Sequence, residues 1–96
     1  MTTLTDIINK REEILAIAAK HGAYQVKIFG SFIRGEETGE SDLDLLVQFE
    51  QGRSLFDLIG LKQELEDLLG LDVDVVTDNA LHSYVKENVM SEAISL

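Results

Sequence analysis

The stretch between residues 23 and 49 constrains the fold most, because it holds two short apolar runs around a polar segment. The runs Ala23–Phe29 and Leu43–Phe49 are bounded by turn residues, which predicts two buried strands. Between them lie Gly30-Ser31 and a loop, residues 36–41, that is rich in Gly and Glu. A chain with this pattern must bury both runs while keeping the polar segment at the surface.

Two acids open the second apolar run, at Asp42 and Asp44. Side chains alternate along a strand, so both carboxylates should point to the same side. Two ionised carboxylates about 4 Å apart repel by roughly 4 kcal/mol at an effective dielectric near 20. They therefore need a bound cation, or one of them keeps its proton. Mg²⁺ is the cation expected, because it takes carboxylate oxygens together with substrate phosphates; a cap or turn after Ser41 would explain only one acid.

Gly30-Ser31 is the second candidate element of a site. A glycine lets backbone amides approach an anion, and a following helical turn adds its positive end. The alternative is a simple turn. Arg34 lies one helical turn after Ser31, so it could contact a phosphate or could be a surface cation among glutamates.

The remaining elements follow from helical and strand periodicity. A first helix begins with a capping box, Thr3 with Asp6, and ends at Gly22. One helical turn is predicted for Ser31–Arg34. A helix capped by Ser54 ends at Gly70. A third strand covers Leu71–Thr77, and a last helix begins at Asp78-Asn79. The apolar positions predicted to line the three long helices are Ile7, Ile8, Ile14, Leu15 and Ala18; Leu55, Leu58, Ile59, Leu65, Leu68 and Leu69; and Val85, Val89, Ala93 and Ile94.

This order of elements predicts an α/β fold with a small mixed sheet covered by helices. At 96 residues, we expect one domain spanning residues 1–96. The third strand carries two further acids, Asp72 and Asp74, which have the same parity. Asp74 lies inside the apolar part of the strand, where an unpaired carboxylate is costly, so a site role is favoured for it.

The spacing of these motifs resembles a known signature. Gly30-Ser31, ten intervening residues and Asp42-x-Asp44 are similar to the nucleotidyltransferase superfamily that contains DNA polymerase beta. More narrowly, Gly-Ser-Phe-Ile-Arg-Gly followed by Ser-Asp-Leu-Asp-Leu-Leu-Val resembles the minimal nucleotidyltransferases, small proteins that are paired with HEPN-domain partners. The resemblance covers nearly the whole chain.

This resemblance implies the nucleotidyltransferase fold, with the second and third strands side by side. Asp74 would then complete a triad with Asp42 and Asp44 that binds Mg²⁺, while Gly30, Ser31 and Arg34 would bind the nucleotide. The implied reaction moves AMP from ATP to a hydroxyl. The implied partner is a HEPN ribonuclease toxin with an acceptor tyrosine, which would make this chain an antitoxin.

The charge balance limits the partners. Eighteen acidic and eight basic residues give a formal charge of −10, which opposes binding to a long nucleic acid. A basic protein or a nucleotide carried with magnesium is easier to accommodate. There is no cysteine and no apolar run long enough to span a membrane. We therefore expect a cytoplasmic protein with no membrane association.

Two other functions fit part of this pattern. A binding module would keep the fold and neutralise its partner by covering it, without chemistry. An enzyme that modifies small molecules would use the same acids, although such enzymes generally need a further domain for the acceptor. Three clustered acids together with an intact Gly-Ser turn favour an enzyme over a binding module, and the need for a further domain disfavours the small-molecule enzyme.

Overall fold

The structure, a computed structural model, describes residues 2–36, 42–78 and 83–96, without the side chains of residues 83–86. The described chain alternates helices and strands, and these are α1 (Leu4–Asn9), α2 (Arg11–Lys20), β1 (Ala23–Phe29), α3 (Ser31–Arg34), β2 (Leu43–Phe49), α4 (Leu55–Leu69), β3 (Val73–Thr77), α5 (Ser83–Glu92) and β4 (Ile94–Ser95). No helix in the described ranges is both long and apolar enough to cross a membrane.

The strands form one mixed sheet in the order β3-β2-β1-β4. The central strand β1 is antiparallel to both β2 and β4, whereas β2 and β3 are parallel and connected through α4. This arrangement confirms the predicted α/β fold with a small mixed sheet. It also confirms that the second and third strands lie side by side, which determines where their acids meet.

The core lies between the sheet and helices α2 and α4, which contact β1, β3 and each other. Alternate residues of β2 contribute to this core, and α1 contributes one isoleucine. The fully buried large side chains are Ile7, Ile14, Ile28, Leu43, Leu45, Leu61, Leu65, Val47 and Val73. Because β2 is buried by both neighbouring strands and the helices, its position is the most constrained in the sheet.

The ends of α4 form as the sequence predicts. The Ser54 hydroxyl accepts a hydrogen bond from the Phe56 backbone N–H, and the Asp57 carboxylate accepts one from the Ser54 N–H. Gly70 ends the helix in the left-handed conformation with φ of 69°. A glycine adopts this conformation at low cost, which is why it stops the helix here.

The prediction of a single first helix is wrong, because the helix is interrupted at Lys10. The backbone there has φ of −101° and ψ of 16°, and the Lys10 ammonium donates to the carbonyl of Leu68 at the end of α4. The interruption still allows Ile7 and Ile14 to be fully buried. Ile8, by contrast, is 45% exposed, so its predicted core position is wrong.

Two positions in α4 are also corrected. Leu55 and Ile59 are exposed, at 68% and 39%, although the helical stripe places them in the core. Leu65 and Leu69 are buried as predicted, together with Leu61, which the predicted stripe did not include. The first turn of α4 therefore presents apolar side chains to the surface.

The last two elements differ from expectation as well. The third strand begins at Val73 and not at Leu71, which leaves Asp72 just before the strand. Ile94 belongs to the short strand β4, where it pairs with Ile28, so it does not continue the last helix. Val89 is buried as predicted. The predicted loop at residues 37–41, the predicted helix start at residues 79–82 and the side chain of Val85 lie outside the described residues.

Candidate active site

The candidate acids lie at one end of the sheet, the end at which β1 finishes and at which β2 and β3 begin. Because β2 is antiparallel to β1 and parallel to β3, Phe29, Asp44 and Asp74 occupy one row across three strands. Asp42 immediately precedes β2 and is exposed. The structure thus brings Asp44 and Asp74 to directly neighbouring positions, with Asp42 two residues away along the chain.

Asp72 has a different position, outside the strand. Its backbone carbonyl accepts a hydrogen bond of 2.9 Å from the N–H of Leu43, and its side chain is exposed. This bond fixes the register at the start of the two strands. The sheet therefore places Asp74, and not Asp72, opposite Asp44.

Asp44 is half-buried, and its surroundings disfavour its negative charge. Burial raises the pKa of the Asp44 carboxyl above its ordinary value, and the nearby charges of Asp74 and Asp42 raise it further. Arg34 acts in the opposite direction, because its positive charge lowers the pKa of Asp44. The carboxylates therefore repel one another in the absence of a cation, as the sequence pattern predicts.

The raised pKa of Asp44 gives a testable dependence of stability on pH. The folded-state pKa of Asp44 lies above the ordinary value of 3.8, so its stabilising contribution is complete below that value and is lost as pH rises through the folded-state pKa. The Asp44→Asn variant has no ionisable group at this position, so it does not lose this contribution as pH rises. We expect the variant's stability relative to wild type to increase from about pH 4 upward and to level off once the pH exceeds the folded-state pKa of Asp44, as measured by urea unfolding. A difference that does not change with pH would contradict this.

Gly30 is required at its position for two separate reasons. Its backbone has φ of 82° and ψ of −150°, a region that is essentially limited to glycine. A Cβ atom at this position would also collide with Oδ2 of Asp44. The turn after β1 therefore lies directly against the carboxylate, which places the Gly30-Ser31 turn and the acidic row in one site.

The short helix α3 begins at Ser31, and its first turn closes on Gly30. The N–H groups of Ile33 and Arg34 both donate to the Gly30 carbonyl, at 3.1 and 3.2 Å. Arg34 reaches two glutamates, with its Nε 3.2 Å from Glu36 and its Nη1 3.0 Å from Glu92 in α5. These carboxylates raise the pKa of Arg34, with Glu36 the larger cause. A phosphate contact by Arg34 would compete with these ion pairs for the guanidinium.

The donor set of this site suits a magnesium ion that shares its ligands with a substrate. In the described part of the chain, no three His, Cys, Asp or Glu side chains are grouped so that they alone could hold a metal ion. Mg²⁺ is commonly bound through one or two carboxylates together with substrate phosphates, and a complete protein cage is not needed. The repelling carboxylates of Asp44, Asp42 and Asp74 are hard oxygen donors of this kind. The residues therefore fit a metal that arrives with its nucleotide.

One polar cluster near the acids was missed in the sequence. Lys62 and Glu66 form an ion pair of 2.8 Å on α4, and both also bond to the backbone of Val73, the residue before Asp74. Their spacing of four residues is a recognisable signal for a helical ion pair. The contact with Val73 has no such signal, because it depends on how α4 packs against β3.

Comparison with known proteins identifies the family. The sequence pattern of the family described as "Nucleotidyltransferase domain" matches residues 10–96. A protein named as a candidate protein adenylyltransferase from Methanocaldococcus jannaschii is 44% identical over 86 residues, covering 90% of this chain and 92% of the relative. "Protein adenylyltransferase MntA" from Thermococcus cleftensis is 40% identical over 91 residues, covering 86% of this chain and 92% of the relative.

Solved structures show the same fold. A structure named as a candidate minimal nucleotidyltransferase has a TM-score of 0.90 and 47% identity, covering 99% of this chain and 97% of the other. A tri-AMPylated HEPN toxin of Shewanella oneidensis in complex with an MNT antitoxin contains a similar fold, with a TM-score of 0.68, 18% identity and coverage of 91% and 68%. The prediction of a nucleotidyltransferase enzyme is confirmed by the family match. The chain belongs to the nucleotidyltransferase domain family and is similar to its minimal nucleotidyltransferases.

Proposed function

We propose that this chain is a magnesium-dependent protein adenylyltransferase that moves AMP from ATP to a hydroxyl group of a partner protein. The observation that carries the proposal is the row of Asp44 and Asp74 in neighbouring strands, beside a turn at Gly30 where any side chain would be strained and would collide with Asp44. Like-charged carboxylates held together in this way are explained by a cation that binds with a triphosphate. The names of the two archaeal relatives support AMP transfer as the reaction.

Each residue has a distinct role in this proposal. Asp42 and Asp44 hold magnesium on the triphosphate, and Asp74 joins them as a metal ligand. Magnesium, when bound, neutralises charge on the phosphates and orients them for in-line displacement. The Gly30-Ser31 turn binds the outer phosphates, and Arg34 adds a phosphate contact when it leaves Glu36 or Glu92.

The chemical step requires a base near the α-phosphate. The acceptor oxygen forms a bond to the α-phosphorus, the bond to the β-phosphate breaks, and pyrophosphate leaves. Asp74 takes the proton of the acceptor hydroxyl, because it is the strand acid beside Asp44 that is exposed to an incoming group. Asp42 and Asp44 then remain available to hold magnesium on the triphosphate.

The proposed acceptor is a tyrosine on a HEPN-domain toxin, which makes this chain its antitoxin. The structure of an AMPylated HEPN toxin with an MNT antitoxin contains the same fold and supports this partner class. The formal charge of −10 also favours a basic protein over a nucleic acid. An acidic enzyme and a basic toxin would attract each other before any contact forms.

A second candidate function is inhibition by binding alone. The apolar side chains at the start of α4 favour it, because Leu55 is 68% and Phe56 84% exposed. Leu55 borders a cavity of about 630 Å³ at the end of the sheet opposite the acids, where Tyr24 and Thr77 also lie. A partner could cover this surface without any chemistry, so the two functions need a test that separates them.

Mass spectrometry of the partner provides this test. With ATP and Mg²⁺, we expect a HEPN-domain toxin partner to gain one or more AMP units, and Asp74→Asn to slow the gain by roughly 100-fold or more, as expected for loss of a general base. Asp72→Asn is the matched control, since it removes the same charge two residues away and should retain transfer. A partner that is inhibited but never gains mass would support the binding function instead. If Asp72→Asn is disabling while Asp74→Asn is not, the assignment of the base is wrong.

A further inference from the structure

The first residue of β3, Val73, is hydrogen-bonded to α4 through both polar groups of its backbone. The Lys62 ammonium donates to the carbonyl oxygen of Val73 at 2.7 Å, and the Glu66 carboxylate accepts from the Val73 N–H at 3.0 Å. The same oxygen of Glu66 accepts from Lys62 at 2.8 Å. Both backbone polar groups of Val73 are therefore satisfied by one ion pair.

These bonds occur where the sheet would otherwise be open. In the described sheet β3 is an edge strand, with β2 on its inner side. The backbone of an edge strand has unpaired polar groups, which usually bind water or another strand. Here α4 supplies both partners, while the side chain of Val73 is 1% exposed and packs into the core. Val73 is thus held by the burial of its side chain in the core and by the hydrogen bonds from α4 to its backbone.

The position of Val73 determines the position of the next residue. Asp74 follows it directly and lies opposite Asp44. On the other side of Val73, the Asp72 carbonyl is bonded to the N–H of Leu43 at the start of β2. A shift of Val73 away from α4 would therefore change the separation between Asp74 and Asp44.

The charge of Lys62 also reaches the acids. The pKa of the Lys62 ammonium is raised chiefly by its hydrogen bond to Glu66, and the charges of Asp72 and Asp74 raise it further. Lys62 thus lies near enough to Asp74 to interact with it electrostatically. It contacts the strand backbone and not the reacting atoms, so its role would be one of positioning.

We propose that Lys62 and Glu66 are positioning residues for the metal site: as a pair they hold Val73 and thereby keep Asp74 beside Asp44. This inference rests on the proposed function, because it assigns them to the same carboxylate site. Groups that orient metal ligands through a second layer of hydrogen bonds typically contribute roughly 10- to 100-fold to metal affinity or activity. We expect an effect of this size.

A charge-neutral double variant tests the proposal in the full-length chain. Lys62→Met with Glu66→Met removes one ion pair from α4 and leaves the net charge unchanged. The matched control is Lys20→Met with Glu64→Met, which removes the 2.7 Å ion pair between α2 and α4. Thermal unfolding followed by circular dichroism establishes a temperature at which both variants are folded. Binding of Mn²⁺ in the presence of a saturating non-hydrolysable ATP analogue is then measured by calorimetry, and AMP transfer gives kcat and KM.

We expect the Lys62 and Glu66 variant to bind Mn²⁺ roughly 10-fold more weakly than wild type and to lose kcat by a similar factor. Its KM for ATP at saturating Mg²⁺ should stay within about twofold, because the pair acts on Asp74 and not on Asp42, Asp44 or the glycine turn, which would hold the metal-bound triphosphate. The control should stay within about twofold of wild type in all three quantities. A purely structural role would lower the melting temperature and leave Mn²⁺ affinity and kcat of the folded variant unchanged, which would overturn the proposal.

These measurements distinguish a failure of the proposed AMP-transfer function from a failure of the proposed positioning role. If wild type binds Mn²⁺ but transfers no AMP, the proposed function fails and the Mn²⁺ comparison still decides the positioning role. If wild type transfers AMP and both double variants behave alike, only the positioning role fails. Should the double variant not fold, Lys62→Met and Glu66→Gln are tested singly. Charge effects alone would shift their Mn²⁺ affinities in opposite directions, whereas loss of positioning weakens both.

Discussion

Replacing Asp42 and Asp44 together by asparagine should abolish AMP transfer while leaving the chain folded and more stable at neutral pH. The stability should rise because the change removes a half-buried charge whose pKa is raised by burial and by neighbouring carboxylates. Transfer should fall because the nucleotide loses its metal. A metal that stabilises a phosphoryl transition state contributes several kcal/mol, so about a thousandfold loss or more is expected.

The matched control removes two charges at exposed positions outside the acidic row. Asp67→Asn with Glu12→Gln changes the net charge by the same amount, and both residues are exposed on helices. This control should retain transfer within about twofold, since solvent and salt weaken the interactions of exposed charges. Rates are measured with labelled ATP, and stability by urea unfolding. A large fall in stability of the Asp42 and Asp44 variant would show that these acids are structural.

Gly30→Ala should lower both stability and activity. Placing a side chain at φ of 82° and ψ of −150° costs about 1–3 kcal/mol in backbone strain, before the collision with Asp44 is counted. At roughly 4–8 °C per kcal/mol for a chain of this size, the melting temperature should fall by about 5–20 °C. Displacing the Asp44 carboxylate by about 1 Å should lower transfer by roughly 100-fold.

Gly52→Ala separates strain from collision. Gly52 also has a positive φ, of 89°, but a Cβ atom there would meet nothing within 4 Å. It should therefore lower the melting temperature through strain while leaving transfer per folded molecule unchanged. The measurements are calorimetric melting and AMP transfer at a temperature where both variants are folded. Equal loss of transfer in the two variants would mean that the approach of Gly30 to Asp44 is unimportant.

The sequence predicted the features that depend on local chemistry. The strands β1 and β2 have their predicted limits, and the Ser54 cap and the Gly70 stop appear where turn and capping residues place them. The adjacency of the second and third strands was implied by the resemblance and is confirmed by the sheet order. For the site, the same information identified the candidate acids and the glycine turn, whose roles stay predictions.

Features that depend on packing between distant segments could not be predicted. The interruption at Lys10 has no proline or glycine to mark it, and the bond from Lys10 to Leu68 spans 58 residues. Helical periodicity placed Leu55 and Ile59 in the core because it does not indicate where a helix extends past its sheet. For the site, the ion pairs of Arg34 with Glu36 and Glu92 and the contact of Lys62 with Val73 depend equally on tertiary structure.

The parallel pairing of Asp44 with Asp74 also affects how the chain folds. These residues are far apart in sequence, so the β2–α4–β3 unit must close a long loop before the two strands can pair. Closing that loop brings together two like charges, and their repulsion opposes folding at the step at which the parallel register forms. Salt and divalent cations screen or bind these charges. The ionic conditions that support the chemistry should therefore also raise the rate at which β3 joins the sheet.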